Sequence, residues 1–367
     1  MFKNYLNIFL VLISIVLLGK VLSVTDFFSA SRYQPDFDAY YQLVSDIRLG
    51  TNPYTVTHMQ TLGPPLVFLY FYPFSLFPLH QAQFLNMFIN LVAGYLCCAA
   101  LAVSYFKNNK LTLFLVLSII YYTSFLSRYS LQIGQPNLLI SLLIALVIST
   151  SRSGSYFLSA LLALKTFFVL PILALVRTPS KFIRTCFFFL ATLLLSMAVI
   201  RPQWYADYSF RRAPELNFFH SENYSDSLHY ENQSFPAVLS RLGLAQNLPI
   251  IYPLFLAAAI IIVTLTGSLE LGIIFSFLIS PVLWQHYLIA LFPVFIKTFA
   301  RTKSSLELLF LALSLFLWFP DLRLWTEPVN LGYGILASHF YLSLILLALA
   351  QIPQLRYNST HRLGLLV

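Results

Sequence analysis

Charge is scarce in this chain. Asp, Glu, Lys and Arg make up 10% of its 367 residues while 59% are hydrophobic, and no polar stretch is long enough to fold as a soluble domain of its own. That balance argues against a soluble globular enzyme and fits a single integral membrane domain over 1–367. Cysteine is scarce too: Cys97 and Cys98 sit side by side in an apolar run and Cys186 stands alone. Such spacing gives neither a metal-ligand set nor a disulfide framework, so the thiols read as core filler. A glycine-rich phosphate loop, a dinucleotide fingerprint and a serine–histidine–acid order are also missing. The sequence therefore predicts no metal and no cofactor.

What is present is apolar length. Runs near 5–24, 82–105, 111–127, 138–150, 182–200, 247–266, 268–281, 286–300, 305–319 and 333–352 are candidate spans, several shorter than the roughly 20 residues of a straight crossing. The first has Lys3 before it and Lys20 near its end, without a small-residue cleavage pattern, and reads as an uncleaved signal anchor. The net charge of +9 does not point to nucleic acid, because the basic residues gather in KNNK (107–110), RTPSKFIR (177–184) and KTFARTK (297–303). Short basic loops of that kind are cytoplasmic anchors, and no basic surface interleaved with aromatics remains for DNA or RNA.

With those loops inside, 25–81 becomes the first outer loop and 201–246 a long one, and 128–137, 282–285 and 320–332 also lie outside. Two apolar stretches must then not cross singly. One is 64–80, with Pro64, Pro65, Pro73 and Pro78; the other is 155–176, interrupted by Lys165 and Pro171. Both are expected to be broken, re-entrant or hairpin elements, tolerated at membrane depth only where protein or a watery cavity surrounds them. Eleven of the thirteen acids fall outside, leaving Glu270 and Glu307 within. Mixed charge on the face away from the anchors is what an extracytoplasmic site leaves behind.

The first outer loop contains PDFDAYYQLVSDIRLG (35–50). Asp36, Tyr40, Leu43 and Ile47 share one helical face and Asp38, Tyr41, Val44 and Arg48 another, which predicts an amphipathic helix at the outer interface. Pro35 suits its first turn, the two acids complement the helix dipole there, and Gly50 can end it. Asp36 and Asp38 are thus either helix-start charges or, for one of them, a general base. Residues two apart on a helix point different ways, so only one can serve. The following prolines and aromatics, to Pro78, build a rigid wall suited to gripping a lipid chain or to plain interfacial packing.

Further along, RYSLQIGQPN (128–137) offers Arg128 for a phosphate and Gln135 and Asn137 for neutral hydrogen bonds, against the alternative of a capped helix boundary. Lys165, in SALLALKTFFVLP, is the most isolated charge; burying it costs a few kcal/mol unless it is paired or hydrated, and a lipid phosphate is a natural partner. In the long loop, ENQSFPAVLSRL supplies Asn232, Gln233 and Ser234 and then Arg241, where Asn232 and Ser234 equally suit a helix cap. SPVLWQHY places Trp284 and His286 in a short outer turn, an indole and an imidazole suited to seating a sugar beside a carboxylate.

Taken in this order, the segments resemble glycosyltransferase family 87, which includes polyprenol-phosphate-mannose-dependent mannosyltransferases. The likeness runs over roughly residues 30–300. A D-F-x-x-Y-Y motif falls on Asp36, Tyr40 and Tyr41 and leaves Asp38 at a variable position. Gly-Gln-x-Asn falls on Gly134, Gln135 and Asn137, and a lysine before a helix break on Lys165. Asn-Gln-Ser falls on Asn232, Gln233 and Ser234 with Arg241 following, and S-P-x-x-W-x-H on Trp284 and His286. Gly63 departs from the tyrosine that usually precedes Pro-Pro.

The topology gives about ten crossings, or about twelve if 64–80 and 155–176 insert differently; the resemblance implies the GT-C fold, an all-α polytopic bundle of those roughly 10–12 transmembrane helices with outer-face interface helices. It implies inverting transfer of a hexose, mannose foremost, from a polyprenyl-phosphate donor to a lipid or glycan acceptor at the extracytoplasmic side of the cytoplasmic membrane. Asp36 would be the base, with Asp38 the second candidate acid. Lys165, Arg128 and Arg241 would bind the donor phosphate; His286, Trp284, Gln135, Asn137, Asn232, Gln233 and Tyr40 would bind sugar or acceptor. Two other readings stay open: a lipid-linked glycan polymerase or ligase, and a lipid or sugar flippase with Lys165 serving passage.

Overall fold

The computed structural model describes residues 2–27, 29, 33–55, 64–150, 153–212, 232–318 and 335–363. Gly63, most of the acids of the long outer loop, Asp321 and Glu327 lie outside them, as does the middle of that loop, 213–231. Among the described residues the chain is helical, apart from a single isolated β-bridge between Asn232 and Trp284.

In chain order the helices are α1 (Phe2–Val24), α2 (Pro35–Arg48), α3 (Phe68–Phe71), α4 (Leu79–Tyr105), α5 (Lys110–Thr123), α6 (Phe125–Ile133), α7 (Asn137–Ser149) and α8 (Gly154–Leu164). They continue with α9 (Leu170–Ala174), α10 (Pro179–Val199), α11 (Pro202–Asp207), α12 (Phe235–Arg241), α13 (Leu248–Thr266), α14 (Leu269–Leu278), α15 (Phe292–Arg301), α16 (Ser305–Trp318) and α17 (His339–Leu363). Among the described residues four helices are long and apolar enough to cross a membrane: Tyr5–Val24, Leu79–Tyr105, Pro179–Val199 and Ala245–Thr266. Large apolar side chains such as Ile15, Phe187, Leu194 and Ile261 stand exposed on three of them, which in water would be a liability and in hydrocarbon is none. The chain is an all-α polytopic membrane protein.

The apolar run near 111–127 is not straight. It breaks at Ser124, whose hydroxyl accepts a hydrogen bond from Leu126 N at 3.2 Å, and α5 and α6 meet at a 64° bend. A serine at the N-terminus of a helix supplies the acceptor that the first turn lacks, so it can restart a helix in a new direction. The run near 286–300 likewise begins as a 3₁₀ turn, Gln285–Leu291, before α15. The prolines of 64–80 divide that stretch into a 3₁₀ turn at Pro65–Val67, the single turn of α3 and a second 3₁₀ turn at Tyr72–Leu76. The stretch 155–176 divides where α8 ends at Leu164 and α9 starts at Leu170.

The chain separates into two compact units, the first made of Met1–Thr166, Arg184–Asn217 and His286–Pro293. Within it α4 packs on α5 and α7, α1 on α5, and α7 on α8. The second unit is Phe167–Ile183, Phe218–Gln285 and Val294–Val367. There α14 packs against α9 and α17, and α16 against α17. Half-buried Glu270 pairs with Lys297 and, at 3.7 Å, with Arg301. The Glu307 carboxylate accepts from Lys303 N at 2.9 Å. The two acids expected beside the basic anchors thus serve those anchors.

Candidate active site

The site of the first unit is assembled from α2, the turn between α6 and α7, the end of α8 and the segment after Gln285. Phe37, Leu43, Val44 and Ile47 form the buried face of α2 and join a cluster with Phe68, Phe71, Phe74, Ile200 and Trp204. The Phe37 ring lies 5.9 Å from Phe71 and 5.5 Å from Phe74, the latter edge-on. Aromatic burial of this extent fixes α2 along its length. Tyr40 stacks on Phe71 at 4.4 Å, and burial, reinforced by the neighbouring Asp36 carboxylate, pushes its phenol above the usual range. It stays a neutral hydrogen-bonding group.

Two residues apart, Asp36 and Asp38 turn to different partners. Asp36 Oδ2 accepts from Gln135 Nε2 at 2.9 Å, and Asp38 Oδ1 accepts from Gln83 Nε2 of α4 at 2.6 Å. Burial pushes the Asp38 carboxyl up, opposed by that bond to Gln83 and by the backbone at Gln34.

Gln135 is placed by Gly134. The glycine ends α6 at φ +79°, and a Cβ there would lie 2.4 Å from Cβ of Phe37. The backbone therefore runs directly against α2, and the next side chain meets Asp36. The other end of the Gln135 amide accepts from Lys165 Nζ at 3.5 Å. Lys165 closes α8, and its ammonium sits 4.0 Å from the centre of the Tyr287 ring. A carboxylate, an amide and an ammonium thus stand in line.

A ladder of amides supports the turn. Asn86 Nδ2 donates to the Gly134 carbonyl at 2.9 Å and Asn86 Oδ1 accepts from the Tyr70 hydroxyl at 2.7 Å. Asn90 donates to the Asn86 carbonyl at 2.9 Å. Asn137 donates to Ser130 Oγ at 3.1 Å and to the His286 carbonyl at 3.3 Å, and Ser130 donates to that same carbonyl at 3.0 Å. Asn137 consequently holds the backbone of His286. The imidazole lies edge-on to Tyr129 at 5.5 Å, and its buried Nε2 has no hydrogen-bond partner, nor has Nε of Arg128. Buried polar atoms are normally satisfied, so these two, with Oε1 of Gln34 beside Gly134, are polar atoms of this region left over from packing.

Gln83, Asn86, Tyr129 and Tyr287 belong to this site and were not singled out from sequence. The first two, with Asn90, recur at helical spacing in an otherwise apolar helix. Amides on one face of a membrane span need partners there, and that signal was legible.

Asn232, Gln233, Trp284 and Arg241 lie in the second unit. Gln233 N donates to the Leu283 carbonyl at 2.5 Å beside the Asn232–Trp284 bridge, and Gln233 Nε2 to the Ala337 carbonyl at 2.7 Å. Fully buried Arg241 donates to the Asn232 carbonyl at 2.7 Å and to Ser338 Oγ at 3.3 and 3.1 Å. Ser234 caps α12 by accepting from Ala237 N at 3.3 Å. In this arrangement the Asn-Gln-Ser segment is knotted into its own unit, with Arg241 as the knot. Among the described residues no three metal-ligating side chains cluster.

Replacing Gly134 by alanine tests the turn. A side chain at this φ costs about 1–2 kcal/mol before its overlap with Phe37 is counted, and either Gln135 or α2 must move. A displacement of about 1 Å at reacting groups is worth up to about a hundredfold in rate. Gly134→Ala is expected to melt earlier in detergent and to lose ten- to a hundredfold of activity by that estimate; a variant with unchanged melting and unchanged activity would refute the close contact as described.

The family model of glycosyltransferase family 87 matches residues 62–281. The matched stretch holds Gln135, Asn137, Lys165, Asn232, Gln233 and Arg241, while Asp36 and His286 lie to either side of it and are brought to Gln135 and Asn137 by the fold of the first unit. Neither the curated proteins nor the solved structures gave a match.

Proposed function

The chain belongs to glycosyltransferase family 87, and from that membership we propose that it transfers a hexose, mannose foremost, from a polyprenyl phosphate to a lipid or glycan acceptor at the extracytoplasmic side of the cytoplasmic membrane. The observation that carries the proposal is the line Asp36–Gln135–Lys165. An inverting transfer needs a base for the acceptor hydroxyl and a cation for the departing phosphate, on opposite sides of one anomeric carbon. The two ends of the line supply them.

Asp36 takes the acceptor proton as the acceptor oxygen bonds to the anomeric carbon. The bond from that carbon to the phosphate oxygen breaks, and its electron pair leaves with the polyprenyl phosphate, which Lys165 receives, with Arg128 a second cation of the same unit. Gln135 keeps base and cation in register. The unpartnered Nε2 of His286 and the phenol of Tyr40 are available to sugar hydroxyls. Lysine can carry the leaving charge without a metal.

The experiment is transfer of labelled sugar from polyprenyl-phosphate mannose and glucose by membranes containing the protein, with endogenous lipid and glycan as acceptors. Labelled product dependent on the prenyl-linked donor is expected. Product formed only from a diphosphate-linked oligosaccharide would replace this reading by a polymerase or ligase; movement of lipid without any transfer would replace it by a flippase.

Asp38 gives a sharper contrast. Its carboxylate faces Gln83, and an asparagine there can still accept from that amide. Losing the charge on one hydrogen bond is worth about 1 kcal/mol, about a fivefold change. Asp38→Asn is therefore expected to keep transfer within that factor in the same assay, and a larger loss would move the base from Asp36 to Asp38.

A further inference from the structure

The first unit contains a cavity of about 370 Å³, within the range of about 300–1,000 Å³ common for small-molecule sites. Its walls come from Leu143 of α7, Ala160, Ala163 and Leu164 of α8, Phe188 of α10 and Tyr70 of the proline-rich segment, among others. Three of the polar side chains that line it are already engaged. Tyr70 donates to Asn86 at 2.7 Å, Ser159 to the Ser155 and Thr185 carbonyls at 2.9 Å each, and Thr192 to the Phe188 carbonyl at 2.8 Å. What these walls present is hydrocarbon. A polar ligand would find those hydroxyls taken, and burying it unpaired is costly.

The position of the cavity matters as much as its lining. It reaches Leu164, and the next residue is Lys165. It also reaches Tyr70, whose hydroxyl is tied through Asn86 to the Gly134 carbonyl, one residue from Gln135. An apolar cavity therefore abuts the lysine and the turn that make the polar site. A ligand that satisfies both carries an anionic head and an apolar tail.

We propose that this cavity binds the head-proximal stretch of a single prenyl chain whose phosphate meets Lys165. Packed carbon atoms about 3.5–4 Å apart occupy on the order of 25 Å³ each, so the space takes about fifteen carbons, or about three five-carbon units. One chain of that length fills it. The proposal rests on the prenyl-phosphate donor reading above, to which it adds where the chain goes and how much of it is read.

Two measurements test it. In the first, sugar phosphates bearing prenyl chains of one to five units are compared as donors. With the wild type, kcat/KM should rise at least about tenfold between one and three units, in line with the gain from burying chain methylenes, and then level off. Ala160→Phe, which fills the cavity, should flatten that rise, with Ala160→Leu intermediate. A wild type indifferent to chain length, or an Ala160→Phe variant that keeps the full rise, overturns the proposal while leaving the transferase reading intact.

The second measurement needs no turnover. A prenyl phosphate with a diazirine on its third unit should label peptides of α7 and α8, and unlabelled prenyl phosphate should compete where phosphatidylcholine does not. Equal competition by phosphatidylcholine means that ordinary bilayer lipid occupies the cavity, and the proposal fails. Specific labelling in a protein that transfers no sugar would uphold the chain site and sink the transfer reading instead.

Discussion

Asparagine in place of Asp36 is expected to reduce sugar transfer by about 10²–10⁴-fold, the usual worth of a positioned general base, with little change in KM. The substitution keeps the shape of the side chain and an oxygen for Gln135 Nε2, now 2.9 Å from Asp36 Oδ2, but removes the basicity. The aromatic face of α2, with Phe37 against Phe71 and Phe74, does not involve the carboxylate, so folding and melting should hold. A loss confined to kcat identifies an interaction made in the transition state. Equal activity of Asp36→Asn and wild type at matched expression would end the assignment of the base to this residue, whatever the family.

How much of this site could be read in advance depends on the range of the interaction. The helix from Pro35 to Arg48 was legible, because Pro35, two early acids and the spacing of Leu43, Val44 and Ile47 act within a few turns. So was the separation of Asp36 from Asp38, which follows from helical geometry alone. The link from Gln135 to Lys165 was not, because the two residues are thirty positions apart and no local rule brings them together. Gln135 was expected to bind sugar, and the structure turns its amide between two charged groups. Asn137, expected in the same role, holds the backbone of His286. The bend after Thr123 was missed for a different reason: a run of apolar residues has no period that betrays a break, and one serine that can cap is a weak signal within it. The amides of α4 were visible at helical spacing; weighing them as a face would have pointed to the turn at Gly134.

Methionine in place of Lys165 should remove most of the activity and leave the protein as stable or more so. The ammonium contacts two neutral groups, the Gln135 carbonyl oxygen at 3.5 Å and the Tyr287 ring at 4.0 Å, and the Asp36 carboxylate acts on it only through space, from the other end of that amide. Among the described residues it has no carboxylate at ion-pair distance. A cation over an aromatic ring recovers about 0.5–2 kcal/mol, whereas holding a charge among apolar neighbours costs about 2.5–3.5 kcal/mol or more. The balance is a strain that a purely structural residue has no reason to carry, and active sites commonly hold such strain at the expense of stability. A leaving phosphate repays it in the transition state, where one such electrostatic contact is worth about 10²–10³-fold. Lys165→Met is therefore expected to lose about that much kcat/KM while its melting temperature in detergent stays level or rises, and Lys165→Arg to recover part of the rate. Should the melting temperature of Lys165→Met drop sharply together with the activity, Lys165 would be a structural strut, and the phosphate would have to be met by another cation, with Arg128 and its unpartnered Nε the next to test.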